Sequence, residues 1–384
     1  MKVMISCGEP SGDLYAGALA REIHACDASV RIVGLGGEHL RSAGSEAVLD
    51  YRGLAVTGLS EALAVLPKSY STYRRLVSLA RQERPNVFVP VDFPDFNFRL
   101  AGTLRRMGIP VVYYICPQVW AWRQRRIQTI KRLVERALVI FPFEEAIYRA
   151  AGIPVDFVGH PLVELARAVR PRAEVLRAAS LKPEAPTVAF LPGSRPNEVQ
   201  AILTDLVKAA ALIARQVPTV QFLVARAPKL DDRLFEPVAA LSGIAGRAAV
   251  VKAQTDDVLA ASDFVVTASG TATVQAAIHG CPMVIVYRLS PLTYQLVKTF
   301  ARVDDVGMVN LIAGERVVPE LIQNDFTPDA VAEEIIGLIR DPERASVVKA
   351  ALRRVVAKLG GPGASRRAAE AIFTVASGVA TVKR

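Results

Sequence analysis

The amino-acid sequence predicts an α/β protein with two doubly wound parallel-sheet domains that face a central cleft. Three observations lead to this fold class: the 384 residues suffice for two cores, short apolar runs alternate with amphipathic stretches, and the two halves begin alike. Nearly continuous apolar runs are typical of parallel strands that are covered on both faces. Strand–helix alternation implies right-handed crossovers, and ligands of such sheets bind at the carboxyl ends of the strands.

The sequence contains ten predicted strands, five in each half. They span residues 2–6, 31–35, 86–91, 111–115 and 138–141, then 187–191, 220–224, 249–252, 264–267 and 283–287. Predicted helices between and after them include 14–25, 71–81, 198–216 and 330–340. Four prolines between residues 159 and 186 mark the join. We therefore predict an N-terminal domain at 1–165 and a C-terminal domain at 166–361.

The net charge of +10 indicates anionic partners, such as phosphorylated substrates or an anionic membrane surface. No zinc-finger, RNA-recognition or helix-turn-helix pattern is present, which disfavours nucleic acid. Four scattered cysteines indicate buried thiols, and the four histidines form no metal-ligand set. The sequence shows neither a secretory signal nor an apolar run of about 18 residues, so we expect a cytoplasmic protein.

The first turn after a strand carries Glu9 between two glycines that would let a ligand approach the backbone. The alternative is a plain turn in which Ser11 or Asp13 caps the next helix. After the second strand, His39 takes the place of the third glycine of a dinucleotide-binding fingerprint. A nicotinamide-dependent dehydrogenase is therefore disfavoured.

The turn after the third strand brings Asp92, Asp95 and Asn97 within reach of one small volume. Asp92 ends an apolar run, where a carboxylate costs stability unless it is paired or used. A base that removes a proton from a substrate hydroxyl suits this position. The alternative makes Asp95 a helix N-cap and Asn97 a surface residue.

Residues 113–126 hold both tryptophans of the protein beside three arginines, among them Trp122 and Arg123. Packing in the core would explain the tryptophan rings. It does not explain the arginines, which suit a phosphate or an anionic interface.

Two turns of the second half predict a diphosphate site. Arg195 stands where a helix begins, so that its guanidinium and the helix-terminal amides suit phosphate oxygens. Glu198 alternatively complements the dipole of that helix. Small and hydroxyl residues open another helix at Ser269, Gly270 and Thr271.

Together these motifs resemble those of the lipid-A-disaccharide synthases, bacterial family-19 glycosyltransferases with the GT-B fold of two Rossmann-like domains. The resemblance covers most of the chain, from residue 8 to residue 314, and its most specific part is the segment with tryptophans and arginines. It is carried by GEPSGD at 8–13, DFPDFN at 92–97, PQVWAWR at 117–123, VGHP at 158–161, LPGSR at 191–195, ASGTA at 268–272 and VNLIAG at 309–314.

The resemblance implies an inverting hexosyltransferase of lipid A and lipopolysaccharide biosynthesis. Such an enzyme joins UDP-2,3-diacylglucosamine to 2,3-diacylglucosamine 1-phosphate (lipid X), giving the β-1,6-linked disaccharide 1-phosphate and UDP. It implies no metal or other cofactor, and peripheral attachment to the anionic inner face of the inner membrane. It also implies a homodimer with exchanged C-terminal segments, in which a last helix at about 362–384 packs on the N-terminal domain.

By motif, Asp92 would be the base toward the acceptor 6-hydroxyl, with Glu9 as a second candidate. The nucleotide contacts would come from Arg195, Glu198, Ser269, Gly270 and Thr271, with Asn310 near the nucleotide. Further substrate-binding candidates are Asp95, Asn97, Trp122 and Arg123. Residues 62–81 mix apolar and basic side chains, which suits either a membrane interface or an ordinary amphipathic surface helix.

One position departs from the family pattern. The family usually has glutamate as an acceptor for the ribose diol where this chain has Gln275. The amide keeps one acceptor oxygen but loses charge-assisted hydrogen bonding. Two alternatives therefore stand beside the synthase: another GT-B enzyme, such as an N-acetylglucosaminyltransferase or a UDP-sugar epimerase, and a non-catalytic relative that binds nucleotide or lipid.

Overall fold

The structure, a computed structural model, describes residues 1–46, 48–54, 59–118, 126–228, 230–244, 247–289 and 305–378; the side chains of 59–65 and 242–244 lie outside this description. The chain divides into two compact units. One comprises Met1–Pro161 with Leu359–Arg384, and the other Leu162–Lys358. The domain boundaries predicted at 165 and 361 fall within a few residues of these divisions.

The first unit contains a seven-stranded sheet with strand order β3-β2-β1-β4-β5-β6-β7, in which the paired strands run parallel. Its strands are β1 (Lys2–Cys7), β2 (Arg31–Gly36), β3 (Val48–Asp50), β4 (Val87–Val91), β5 (Val112–Tyr114), β6 (Arg136–Val139) and β7 (Val155–Phe157). The helices between them are α1 (Pro10–Cys26), α2 (Glu38–Ser42), α3 (Leu59–Glu83), α4 (Pro94–Arg106), α5 (Arg126–Leu133) and α6 (Pro142–Ala150).

The second unit contains a six-stranded parallel sheet with strand order β10-β9-β8-β11-β12-β13. Its strands are β8 (Thr187–Leu191), β9 (Gln221–Arg226), β10 (Ala248–Lys252), β11 (Phe264–Ala268), β12 (Met283–Tyr287) and β13 (Glu320–Ile322). Its helices are α7 (Leu162–Leu165), α8 (Arg172–Ala178), α9 (Pro196–Gln216), α10 (Ala239–Ile244), α11 (Thr255–Ala260), α12 (Thr271–Ile278), α13 (Met308–Ala313), α14 (Pro328–Arg340) and α15 (Pro342–Lys358), with a 3₁₀ helix at Asp232–Val238.

The chain returns to its first unit through α16 (Ala364–Ala376), which packs against α1. Arg367 fixes the start of this helix, because its Nε donates to the Val158 carbonyl at 2.8 Å and its other nitrogens donate to the carbonyls of Pro362 and Gly361. The predicted C-terminal helix thus lies with the N-terminal residues of the same chain.

Each sheet is the centre of its own apolar core. Met4, Phe88 and Tyr113 are fully buried in the first, and the rings of Phe190 and Phe222 stack 5.4 Å apart in the second. The ten predicted strands are all present, with ends that shift by up to two residues. The two parallel-sheet domains predicted from the sequence are therefore confirmed, and the carboxyl ends of their strands carry the residues considered next.

Candidate active site

The turn after β4 holds Asp92 in a strained backbone conformation. Asp92 and Phe93 have φ of 48° and 53°, in the left-handed region, which costs a non-glycine residue roughly 1–2 kcal/mol. Three hydrogen bonds hold the Asp92 backbone: its N–H donates to the Tyr114 carbonyl at 3.3 Å, and its carbonyl accepts from Asn97 Nδ2 at 2.7 Å and the Tyr113 hydroxyl at 2.9 Å. Strain of this kind persists where the surroundings over-determine it, and it is typical of functional sites.

The side chain of Asn97 is fully buried and serves this turn. Besides the Asp92 carbonyl, its amide donates to the Ser6 carbonyl at 3.1 Å, and its Oδ1 accepts from the Ser6 hydroxyl at 2.7 Å. Asn97 therefore positions the Asp92 backbone, and its predicted contact with the substrate stays a prediction. Ser6 and Tyr113 complete the network; a hydroxyl inside the apolar run of β1 was the sequence signal for Ser6.

Tyr113 acts in this network as a permanent hydrogen-bond donor. Burial raises the pKa of Tyr113 well above its usual value, and the nearby Asp92 carboxylate raises it further. The phenol therefore stays protonated and continues to donate to the Asp92 carbonyl.

Glu9 follows β1, the neighbour of β4, and is the half-buried N-cap residue of α1. Because Cys7 pairs with Val91, the turns that hold Glu9 and Asp92 begin side by side. A Cβ on the intervening Gly8 would lie 2.3 Å from the Phe93 ring, so only glycine fits there. The sequence placed both carboxylates at the carboxyl edge of the sheet, and the structure brings their turns together.

Asp13, the alternative cap for α1, holds a different turn. Its buried carboxylate accepts from the backbone N–H groups of Gly37 at 2.6 Å, His39 at 3.0 Å and Leu40 at 3.3 Å. These bonds fix the start of α2 against α1. The residue is therefore structural.

Asp95 lies in the first turn of α4 with its side chain 76% exposed, and it pairs with Arg126, whose guanidinium also lies over the Phe98 ring. The neighbouring candidates Trp122 and Arg123 lie outside the described residues. Asp95 is thus an exposed carboxylate paired with a basic residue of the predicted anion-binding segment.

His160, from the VGHP motif, is buried between the rings of Tyr15 and Phe141, at centroid distances of 6.0 and 5.3 Å. Burial lowers its pKa to about 3. The imidazole is therefore neutral at physiological pH, and its backbone N–H donates to the Leu359 carbonyl at 2.8 Å. This motif connects β7 to the returning C-terminal segment.

In the second unit, Glu198 hydrogen-bonds to the backbone of the turn between β8 and α9. Glu198 Oε2 accepts from the backbone N–H groups of Ser194 at 3.0 Å and Arg195 at 3.3 Å, and its Oε1 accepts from Arg195 Nη1 at 3.1 Å. Gly193 is required here, since its φ is 129° and a Cβ would lie 2.6 Å from the Glu198 side chain. Glu198 is therefore the cap of this turn, as the helix-dipole alternative implied, and it occupies the amides predicted for a diphosphate.

The turn between β11 and α12 has a different arrangement. Among the described residues, none accepts from the backbone N–H groups of Gly270, Thr271 or Ala272. The Ser269 hydroxyl donates to the Val306 carbonyl at 3.0 Å and makes no hydrogen bond that caps the helix. The three amides lie at the start of α12, which has eight residues. Gly270 has φ 140°, and a Cβ there would meet nothing within 4 Å. Free helix-terminal amides beside an open glycine form an anion-binding arrangement.

Asn310 is fully buried in α13. Its Oδ1 accepts from the N–H groups of Val317 at 2.9 Å and Val318 at 3.1 Å, and its Nδ2 donates to the Val318 carbonyl at 2.9 Å and to Glu320 at 2.8 Å. Glu320 also accepts from the N–H groups that precede α13. These contacts make Asn310 a positioning residue for the segment before β13, and its place near the nucleotide stays a prediction.

Gln275 lies half-buried on α12, where its Nε2 is 3.3 Å from the Asp256 carboxylate. The described residues contain no group of three or more His, Cys, Asp or Glu side chains that could hold a metal ion. Nor is any helix within the described ranges long and apolar enough to span a membrane.

Comparison with known proteins gives one consistent result. The family model described as lipid-A-disaccharide synthetase matches residues 3–375. A lipid-A-disaccharide synthase from Geobacter metallireducens is 42% identical over 371 residues, covering 96% of this chain and 95% of the relative. Another from Koribacter versatilis is 42% identical over 382 residues, covering 98% and 99%.

Solved structures resemble the fold at low sequence identity. UDP-GlcNAc 2-epimerase from Neisseria meningitidis has a TM-score of 0.70 at 12% identity, with 97% of this chain and all of the other covered. A glycotransferase of kitacinnamycin has a TM-score of 0.63 at 18% identity, with 97% and 98% covered. The fold is therefore GT-B, as the sequence predicted.

Proposed function

The chain belongs to the lipid-A-disaccharide synthase family, and from this membership we propose its substrates and the roles of its residues. It is a glycosyltransferase of lipid A biosynthesis. The proposed donor is UDP-2,3-diacylglucosamine and the proposed acceptor is 2,3-diacylglucosamine 1-phosphate. The products are the β-1,6-linked disaccharide 1-phosphate and UDP.

The observation that carries this proposal is the strained turn at Asp92. Its left-handed backbone is held from three sides, so that a half-buried carboxylate stands at the carboxyl end of β4. In the proposed reaction, Asp92 accepts the proton of the acceptor 6-hydroxyl while that oxygen attacks C1 of the donor sugar. The bond from C1 to UDP breaks on the opposite face, and the anomeric centre inverts. Glu9, whose turn begins beside that of Asp92, is the second candidate base.

The departing diphosphate needs electrostatic stabilisation, which we assign to the second unit. The amides of Gly270, Thr271 and Ala272 open α12 and can donate to phosphate oxygens. The guanidinium of Arg195, 40% exposed, would exchange its contact with Glu198 for one with the diphosphate. We propose that these groups suffice without a metal or other cofactor. That donor and acceptor meet in a cleft between the units stays a prediction.

Contact with an anionic membrane surface is proposed for α3. Leu66 and Tyr70 are 52% and 63% exposed, and Lys68, Arg74 and Arg75 are exposed on the same helix. Apolar side chains among basic ones are typical of helices that lie in a membrane interface. Leu63 and Val65, which also led to this prediction, lie outside the described side chains. A peripheral position on the inner membrane and a homodimer with exchanged C-terminal segments are part of the same proposal.

The test is transfer of radiolabelled diacylglucosamine from its UDP conjugate to lipid X, with the wild type, Asp92→Asn and Asp92→Ala. We expect disaccharide 1-phosphate from the wild type and a loss of about 10²–10⁴-fold in kcat for both variants, because general base catalysis contributes that much. Calorimetric binding of UDP should be unchanged. Full activity of either variant would exclude Asp92 as the base. Faster turnover of UDP-N-acetylglucosamine than of the acylated donor would contradict the proposed substrates.

A further inference from the structure

Three side chains of the second unit form a small polar cluster one turn along α12. The Asp256 carboxylate, at the start of α11, lies 2.9 Å from His279 Nε2 and 3.3 Å from Gln275 Nε2. Gln275 lies on α12 and His279, four residues later, is the C-cap residue of the same helix, so the two side chains share one face. The Asp256 side chain is 26% exposed and that of His279 is 10% exposed. The cluster thus lies at the edge of solvent.

The chemistry of a carboxylate fixes which way the Gln275 amide faces. An ionised carboxylate only accepts hydrogen bonds, whereas a carboxamide has a donating end and an accepting end. Asp256 must therefore face the NH₂ group of Gln275. For the same reason Asp256 faces an N–H at Nε2 of His279, which contacts the same oxygen, Oδ1, as Gln275 does.

The accepting end of Gln275 is left for another partner. Among the described residues, none donates a hydrogen bond to its Oε1. Gln275 also lies one turn after Thr271, about 6 Å along the helix axis on the same face. Thr271 is exposed at the helix start to which we assign the diphosphate. In a nucleoside diphosphate, the group next to the diphosphate is the ribose, which presents two hydroxyl donors.

We propose that Asp256 is a positioning residue that orients the Gln275 carboxamide, so that Oε1 accepts a hydrogen bond from a ribose hydroxyl of the bound nucleotide. This inference rests on the proposed function, because it needs a uridine nucleotide at the start of α12. A neutral amide at 275 also suits the neighbouring Asp256 carboxylate. A glutamate at 275 would place two carboxylates within hydrogen-bonding distance, where like charges oppose ionisation.

The test measures ribose selectivity by calorimetry on the full-length chain with UDP, 2′-deoxy-UDP and 3′-deoxy-UDP. We expect the wild type to bind UDP about fivefold more tightly than at least one deoxy analogue, the equivalent of about 1 kcal/mol for a neutral hydrogen bond. In Asp256→Ala the ratio should fall below about twofold while the affinity for the deoxy analogue stays the same. Asp329→Ala is the matched control, since Asp329 also lies in the first turn of a helix of this unit. It should keep the wild-type ratio.

A double-mutant cycle tests the coupling between the two residues. Gln275→Leu should abolish the selectivity as fully as Asp256→Ala does, and the double variant should lose nothing more, because both changes remove one hydrogen bond. If Asp256→Ala does not fold, as thermal melting would show, Asp256→Asn replaces it, since an asparagine no longer dictates the direction of the amide.

The outcomes separate the two proposals. A wild type that binds no UDP overturns the proposed function and this inference with it. A wild type that binds UDP without distinguishing the deoxy analogues overturns the inference alone. Unchanged selectivity in the Asp256 variants, or additive losses in the cycle, would also show that Asp256 does not orient Gln275.

Discussion

Replacing Asn97 by alanine tests whether the strained turn at Asp92 is held by its surroundings. The change removes three hydrogen bonds, from Nδ2 to the carbonyls of Asp92 and Ser6 and from the Ser6 hydroxyl to Oδ1. At about 1 kcal/mol each, the free energy of unfolding should fall by about 3 kcal/mol. Without these bonds the turn can relax and release the roughly 1–2 kcal/mol that its left-handed φ costs. The Asp92 carboxylate would then lose its direction, and we expect kcat to fall about tenfold.

A matched control separates this effect from general loss of stability. Gln221 is also fully buried, and its amide also makes three hydrogen bonds, to both backbone groups of Lys182 and to the Thr187 hydroxyl, in the other unit. Denaturant unfolding should show similar losses for Asn97→Ala and Gln221→Ala, while assays of UDP release should show reduced kcat for Asn97→Ala alone. Equal kcat in the two variants would refute the idea that Asn97 maintains the Asp92 turn.

Two further predictions concern the same unit. Gly8→Ala places a Cβ 2.3 Å from the Phe93 ring; we expect a loss of about 1–3 kcal/mol in unfolding free energy and a lower kcat, and a variant with wild-type values for both would contradict the tight fit. Burial lowers the pKa of His160 to about 3, so between pH 6.5 and that value the unfolded chain binds more protons than the folded one. The contribution of His160 to the unfolding free energy is complete above pH 6.5 and should fall by about 3 kcal/mol by pH 4. His160→Leu should therefore show a shallower decline in unfolding free energy with falling pH, whereas parallel curves for variant and wild type would count against it.

The pattern of apolar runs was sufficient for the central strands and for β10, but not for the other three edge strands of the two sheets. The three strands that were not predicted, β3, β7 and β13, each have three residues and lie at a sheet edge. Val48–Asp50 shows why, since its residues are only half-buried and include a charge. Such a segment becomes a strand because its neighbour offers backbone hydrogen bonds, which periodicity does not reveal.

The sequence located the candidate site better than it assigned the roles within it. Position after a strand predicted which residues gather at the carboxyl edge, because all parallel strands end there. It could not predict the direction of a side chain, so it did not show that Asn97 and Asn310 are buried and hydrogen-bond to the backbone around them. Glu198 could be assigned only when its bonds to the turn amides were seen. No motif pointed to Asp256, because its partner Gln275 lies nineteen residues away along the chain.

The distribution of backbone strain gives an independent reason to place the chemistry at this edge. Ile115, directly after β5, has φ of 56°, which is a severe deviation for a β-branched residue. Because Tyr114 pairs with Val91, Ile115 lies beside Asp92, and its N–H is held by the Leu138 carbonyl at 3.0 Å. Two neighbouring strands thus end in left-handed residues that polar contacts hold in place. Glycine would adopt these backbone conformations without strain. Because the chain has an aspartate at position 92 instead, we infer that the strained turn serves to direct the Asp92 carboxylate.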